Sequence, residues 1–372
     1  MKVFLAGLIC IFVIEAALQM AGFIYTRWLY RPPIGKTVAG LAFNIMFIGD
    51  SWTQGADATP EPGFAPQTIE KLNQLFPEKY FQEYNFAWSG TNSSQAIHQF
   101  FDHYDSLDPK IVVVLTGANN GWNTQDVASA QRRLDNAIAG KGTALESYLG
   151  ETIINSLKEL KLFKLYMLIK HNMIKVENTL YNSYSDDFSR TYFEILADQR
   201  DEETARNYLL KNYREKDHDY LNFFKLVMHS YGGDIEATIS CLEENNLWNS
   251  RQLEGKFNIE ENKRYRNQSI SILENNLTGL KQFCDSRDII LIIQNYPHPH
   301  LGFRSLNRSI GEMVEKLGAV YVDHDYYFEK TIGRKEWDRV STQGHVNARG
   351  HTYMADNLTK VLALLIKKRK LI

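Results

Sequence analysis

Phe43-Asn44-Ile45-Met46-Phe47-Ile48-Gly49-Asp50-Ser51-Trp52 decides how the rest of the chain is read. A short apolar run that stops at glycine and continues into Asp-Ser is the pattern of a buried strand turning into a helix. Working outward, apolar runs recur at 83–88, 111–115, 289–294 and 319–322. The run Ile111–Leu115 is continuous and β-branched, as expected of a strand covered on both faces. Helical patterns lie between these runs at 66–75, 93–103, 268–285 and 306–317, and 348–368 closes the chain. Strand-then-helix repetition predicts an α/β domain, a parallel sheet with helices on both faces.

The chain has 372 residues, enough for two domains or for one with a sizeable insertion. Hydrophobic residues at 44% and charged residues at 23% exclude a disordered or fibrous chain. Lys and Arg number 42 against 44 Asp and Glu, a net charge of -2, so no nucleic-acid partner is expected. Among the three cysteines, Cys10 lies in an apolar run, which leaves Cys241–Cys284 as the one plausible bridge. The absence of CxxC spacing argues against a thiolate zinc site.

Residues 3–25 are nearly all apolar, broken by Glu15 and Gln19, and are followed by Arg27, Trp28 and Arg31. About twenty such residues span a bilayer as a helix. With no A-x-A-like site after it, the run reads as an uncleaved membrane anchor within 1–30, ahead of a cleaved signal. Flanking charges on both sides leave its orientation open. Arg31-Pro32-Pro33 reads as a linker.

Residues 124–267 interrupt the strand-helix order and read as an all-helical insertion. Leu157, Leu160, Phe163, Leu165 and Leu168 form one apolar face, and 192–197, 204–210, 223–231 and 235–242 have the lengths of paired helices. The stretch 224–242 resembles a single tetratricopeptide helix pair, but a helical cap over the sheet is the preferred reading. The sheet domain is therefore expected over 41–123 and 268–372.

In open α/β sheets ligands bind beyond the carboxyl ends of the strands. Residues following each run should thus share one crevice: Gly49-Asp50-Ser51, Ser89-Gly90-Thr91-Asn92, Gly117-Ala118-Asn119-Asn120 and Asn295-Tyr296-Pro297-His298, with His345-Val346-Asn347-Ala348-Arg349-Gly350-His351 before the last helix. One hydroxyl, one imidazole, amides and glycines are the inventory of serine-based acyl transfer. Ser51 at a strand-to-helix turn exposes its hydroxyl and sets its N–H near the helix amino end. Gly90 lets a second N–H approach, and Asn119 can add a side-chain N–H to the same oxyanion. His345 titrates in the range that lets it take the serine proton. His351 is assigned to packing, and His298 and His300 to an exposed loop without a metal.

These four blocks resemble those of the SGNH, or GDSL-type, hydrolases. Gly49-Asp50-Ser51, Gly90, Gly117-Ala118-Asn119-Asn120 and His345 to His351 follow in the family's order, with Asn120 for an Asp and Val346 for a Pro. The resemblance covers 41–123 and 268–365. It implies a three-layer, flavodoxin-like sheet, catalytic Ser51 and His345, and an oxyanion hole of Ser51, Gly90 and Asn119, with no metal or organic cofactor. The family usually places an Asp two or three residues before the His, where this chain has Thr342 and Gln343. Asp338 is the preferred substitute, Asp323 and Asp325 are less favoured, and a Ser–His dyad is the alternative. The implied activity is ester hydrolysis or acyl, often acetyl, transfer on a carbohydrate or other surface ester, by a domain outside the cytoplasm. The competing reading is a non-catalytic anchored scaffold whose helical insertion binds a protein partner.

Overall fold

A computed structural model describes residues 13–17, 20, 42–140, 192, 194–196, 199, 201–212, 220–248, 259–342 and 344–369. The chain divides into two compact units, residues 1–34 with 142–178 and residues 35–141 with 179–372. Of the first, only 13–17 and 20 are described, and these are helical. Most of the expected anchor, and the expected apolar face over 157–168, lie outside the described residues. Among the described residues no helix is long and apolar enough to cross a membrane.

The second unit holds five parallel strands in the order β2-β1-β3-β4-β5. They are β1 (Ala42–Gly49), β2 (Tyr80–Asn85), β3 (Ile111–Leu115), β4 (Ile290–Gln294) and β5 (Val320–Val322). Every residue of β3 and β4 is buried, which is why both read as unbroken apolar runs. β2 lies three residues before its expected start. As an edge strand it carries Tyr80, Gln82 and Glu83, which give no apolar signal.

The short helix α1 (Ser51–Gln54) and then α2 (Phe64–Leu75) lead to β2, and α3 (Ser93–Leu107) leads back past β1 to β3. Right-handed crossovers in opposite directions put α2 and α3 on opposite faces of the sheet. The closing helix α11 (Ala348–Arg369) packs against α2, while α4 (Val127–Ile138) and α8 (Ile259–Ser286) pack with α3. The result is three layers. α4 falls inside the expected insertion, yet Ala130, Leu134 and Ala137 are buried in the sheet domain's core. Two of these three buried residues are alanines, too weak an apolar signal to announce that role in the sequence.

The helical excursion contributes α5 (Glu202–Asn212), α6 (Tyr220–Ser230) and α7 (Ile235–Glu244). Phe223, Phe224, Val227, Met228, Ile235 and Leu242 make its own small core. Arg304 and Arg308 of α9 (Leu301–Leu317) pair with Glu202 at 2.5 Å and Asp234 at 3.3 Å. α10 (His324–Thr331) follows β5. Cys241 and Cys284 are both buried and free, so the expected bridge is not formed. They belong to α7 and α8, and Cys284 is held in the sheet core, where burial pushes its thiol well above the ordinary value.

Candidate active site

The strand order reverses between β1 and β3, and the crevice opens at their carboxyl ends. Only glycine fits at position 49. Its φ is +153°, and a Cβ there would lie 2.1 Å from the Leu115 carbonyl oxygen. That close approach lets the Asp50 N–H reach the same oxygen at 3.3 Å and throws Ser51 to the top of the sheet.

Ser51 Oγ lies 2.7 Å from His345 Nε2. On the other side of the ring, His345 Nδ1 meets Asp57 Oδ2 at 3.2 Å. A carboxylate can only accept, so Nδ1 carries the proton and Nε2 is left to accept the serine hydroxyl. Burial lowers the His345 pKa below its usual value, and Asp57 opposes that shift by its charge and its hydrogen bond. The imidazole is thus neutral near pH 7.

Asp57 takes the place expected for Asp338. Gly55 ends α1 in the left-handed region and Asp57 itself has φ +64°, so the chain doubles back and brings this carboxylate to the imidazole. Asp338 is exposed on a 3-10 turn (Arg334–Arg339) and is not a partner of His345. Thr342, at the family's usual acid position, donates its hydroxyl to Asp57 Oδ2 at 2.6 Å. Gln343 lies outside the described residues. Asp323 caps α10 by accepting from the Tyr326 N–H. No local pattern in Gly55-Ala56-Asp57 marks this role. The one available signal was a hydroxyl, Thr342, standing where a carboxylate was due.

Of the oxyanion candidates, Gly90 and Asn119 both meet Trp122, and Ser89, next to Gly90, bonds Gln54 of the helix that starts at Ser51. Gly90 has φ +77°, a conformation a side chain would strain. Asn119 Nδ2 donates to the Thr91 carbonyl at 2.9 Å, and its Oδ1 accepts from Trp122 Nε1 at 3.1 Å. An amide nitrogen has two hydrogens, so one remains for a substrate oxygen. Because α1 is a single turn, its dipole adds little, and the Ser51 N–H must act as an individual donor.

Beneath this surface lies a network that the sequence did not announce. Asp50 caps α1 by accepting from the Trp52 N–H at 3.1 Å and accepts from the Tyr296 hydroxyl at 2.5 Å. Tyr296, following β4, in turn accepts from the Ala118 N–H at 3.2 Å. Three strand ends are thereby tied together next to Ser51. Burial pushes Asp50 from 3.8 up to about 7, against the lowering effect of these hydrogen bonds. Asn120, in the place of the family's Asp, is buried and accepts from the Ser93 N–H while donating to Ser93 Oγ and the Ser269 carbonyl.

Two histidine readings change or sharpen. His298 is fully buried, stacked on Phe303 at 4.6 Å and edge-on to Trp337 and Trp52, in contrast to the expected exposed loop. The Pro-His-Pro sequence looked polar, but the aromatic side chains come from distant segments. Burial drives its pKa well below the ordinary value, so the ring is neutral. Among the described residues no cluster of His, Cys, Asp or Glu could hold a metal. His351 is buried against Phe64 and bonds through Nε2 to the Ala56 carbonyl at 3.0 Å, which fastens α11 to the turn carrying Asp57.

Residues 47–202 match the GDSL-like lipase/acylhydrolase family. The chain carries a GDSL-type hydrolase domain. It is an enzyme of the esterase class. The match includes Ser51, Gly90 and Asn119 and ends well before His345. No curated protein matches the sequence. Among solved structures, a catalytic mutant of an acetylxylan esterase from Geobacillus stearothermophilus is 10% identical, with TM-score 0.41, over 85% of this chain and 92% of that one. The psychrotrophic esterase EstA from Pseudoalteromonas sp. is 9% identical, with TM-score 0.39, over 87% and 99%. A putative GDSL-like lipase from Parabacteroides merdae is 12% identical, with TM-score 0.38, over 86% and 95%.

Proposed function

We propose that this GDSL-type hydrolase is a serine esterase or acyltransferase for small acyl groups, acetyl above all, carried on carbohydrate or related surface esters. The observation that carries the reading is the 2.7 Å contact between Ser51 Oγ and His345 Nε2. Ser51 Oγ attacks the ester carbonyl and passes its proton to Nε2. The carbonyl oxygen becomes an oxyanion held by the Ser51 and Gly90 N–H groups and the Asn119 amide. As the C–O bond breaks, Nε2 returns the proton to the leaving alcohol and an acyl-serine remains. Water, deprotonated by the same nitrogen, releases the acid; a sugar hydroxyl in its place would receive the acyl group. Asp57 holds the imidazole in the required tautomer and stabilises the imidazolium.

The apolar residues 3–25 would anchor this domain to a membrane with its site outside the cytoplasm; a cytoplasm-dependent reporter fused after Ile372 should then be silent. For the chemistry, a fluorophosphonate probe should label the wild type and not Ser51→Ala. Ser51→Ala should lose at least about 10⁴-fold in turnover on 4-nitrophenyl acetate with an unchanged Tm. Labelling of the variant, or full turnover by it, would overturn the assignment.

A further inference from the structure

The loop that supplies Asn119 continues into Gly121 and Trp122, and the indole has no place in the hydrolytic steps. Trp122 is 48% exposed, a large apolar ring left in water on the loop that carries Asn119. It is nevertheless fixed. Its Nε1–H bonds Asn119 Oδ1 at 3.1 Å, and its six-membered ring edge lies 3.3 Å from where a Cβ on Gly90 would sit. One side chain therefore touches both loop donors of the oxyanion hole. A second exposed ring, Tyr265 at 41%, stands on the far side of Gly121, 3.0 Å from a Cβ built there.

The polar groups on the segments that hold the indole are neutral: the Asn119 amide bonds its N–H, the Asn123 amide donates to the Gly90 carbonyl, and the Ser89 hydroxyl next in sequence to Gly90 donates to Gln54 Oε1. A rigid aromatic plane bordered by amides and a hydroxyl suits a ligand with one flat C–H face and a ring of hydroxyls. That is a pyranose. A long acyl chain would want a closed apolar channel instead, and an anionic ligand would want a cation. Holding the indole in place beforehand also avoids an ordering cost on binding.

We propose that Trp122 is the alcohol-side subsite of the enzyme, a platform on which the sugar ring of a carbohydrate ester stacks, tied through its N–H to the amide that receives the oxyanion. This rests on the Ser51 reading above. Sugar binding would then press on the ring that orients Asn119, so binding energy from the alcohol part of the ester also serves the transition state.

Two substitutions separate the two functions of the side chain. Trp122→Phe keeps an aromatic plane and loses the N–H; kcat should fall several-fold on both glucose pentaacetate and 4-nitrophenyl acetate, with KM for the sugar ester within about twofold of wild type. Trp122→Ala should in addition raise KM for glucose pentaacetate about tenfold or more and leave KM for the aryl acetate unchanged. Equal losses on both esters with no change in KM would reduce Trp122 to a support for Asn119 and overturn the subsite. A KM rise confined to 4-nitrophenyl octanoate would assign the ring to the acyl chain, and would overturn it too. Binding of glucose pentaacetate to Ser51→Ala, followed by isothermal titration calorimetry, should disappear in Ser51→Ala/Trp122→Ala. That arm needs no turnover, so sugar binding that persists while the fluorophosphonate fails to label Ser51 sinks the mechanism alone. Sugar binding that survives the loss of Trp122 sinks the subsite alone.

Discussion

The two halves of the active site are built differently. The nucleophile side grows out of the sheet: Gly49, Asp50, Ala118 and Tyr296 sit at the ends of β1, β3 and β4 and are joined by buried hydrogen bonds. The base side is a loop. His345 hangs between one isolated antiparallel bridge, Ser341 to Val346, and the Asp57 carboxylate, whose side chain is 44% exposed. The first half is fixed by strands that cannot move without unpairing. The second depends on two local contacts, so its acid can be supplied from more than one place in the chain.

The sharpest way to break this contrast is to remove the acid. Asp57→Asn should cost about 10² to 10³-fold in turnover, less than for a fully buried partner, because half of this carboxylate already faces water. Losing the group that raises the His345 pKa should also move the acid limb of the rate profile to lower pH. A loss below threefold with an unmoved limb would make the site a dyad.

The nucleophile side should answer in stability. Asp50 has a folded pKa of about 7 against 3.8 for the free group, so between these values the folded state holds a proton that the unfolded state has lost. Stability therefore falls as pH rises from about 4 to 7, by at most about 4 kcal/mol at about 1.4 kcal/mol per pH unit. Asp50→Asn cannot titrate. Its Tm relative to wild type should climb across that window and level off above pH 7; parallel pH curves for the two proteins would show that Asp50 ionises normally.

Smaller effects are expected at Thr342, and they depend on background. In the wild type its hydroxyl donates to Asp57, so Thr342→Asp sets two carboxylates together and should lower turnover about tenfold. In Asp57→Asn the same change restores a carboxylate at the family's usual position and should recover about tenfold. Additive losses would mean that the loop cannot present an acid from position 342.

This difference in construction is also what the sequence could and could not reveal. Strands buried on both faces must be apolar throughout, and the turns after them need glycine and small polar residues. Ser51, Gly90 and Asn119 were therefore visible as candidates in their strand-end setting. Edge strand β2 was misplaced because Gln82 and Glu83 break the run. Asp57 was missed because its partner is 288 residues away and the left-handed turn that aims it has no special composition. His298 was misread for a related reason: Trp52, Phe303 and Trp337 enclose it only in the fold.

The smallest expected effect is also the test of that account. Asp338 stands seven residues before His345 and was the best acid by sequence distance, yet it lies exposed on the 3-10 turn and is not bonded to the imidazole. An exposed charge acts on a distant group only through water and salt, which damp it over about 8 Å at physiological ionic strength. Asp338→Asn should therefore leave turnover within twofold of wild type, with the acid limb of the rate profile unmoved at 0.15 M salt. Repeating the measurement at about 0.01 M salt, where screening extends to about 30 Å, sets the ceiling on any through-space effect. A hundredfold loss at either salt concentration would show that the loop rearranges in solution to bring Asp338 to Nδ1. Asp57 would then be the residue that merely holds Thr342.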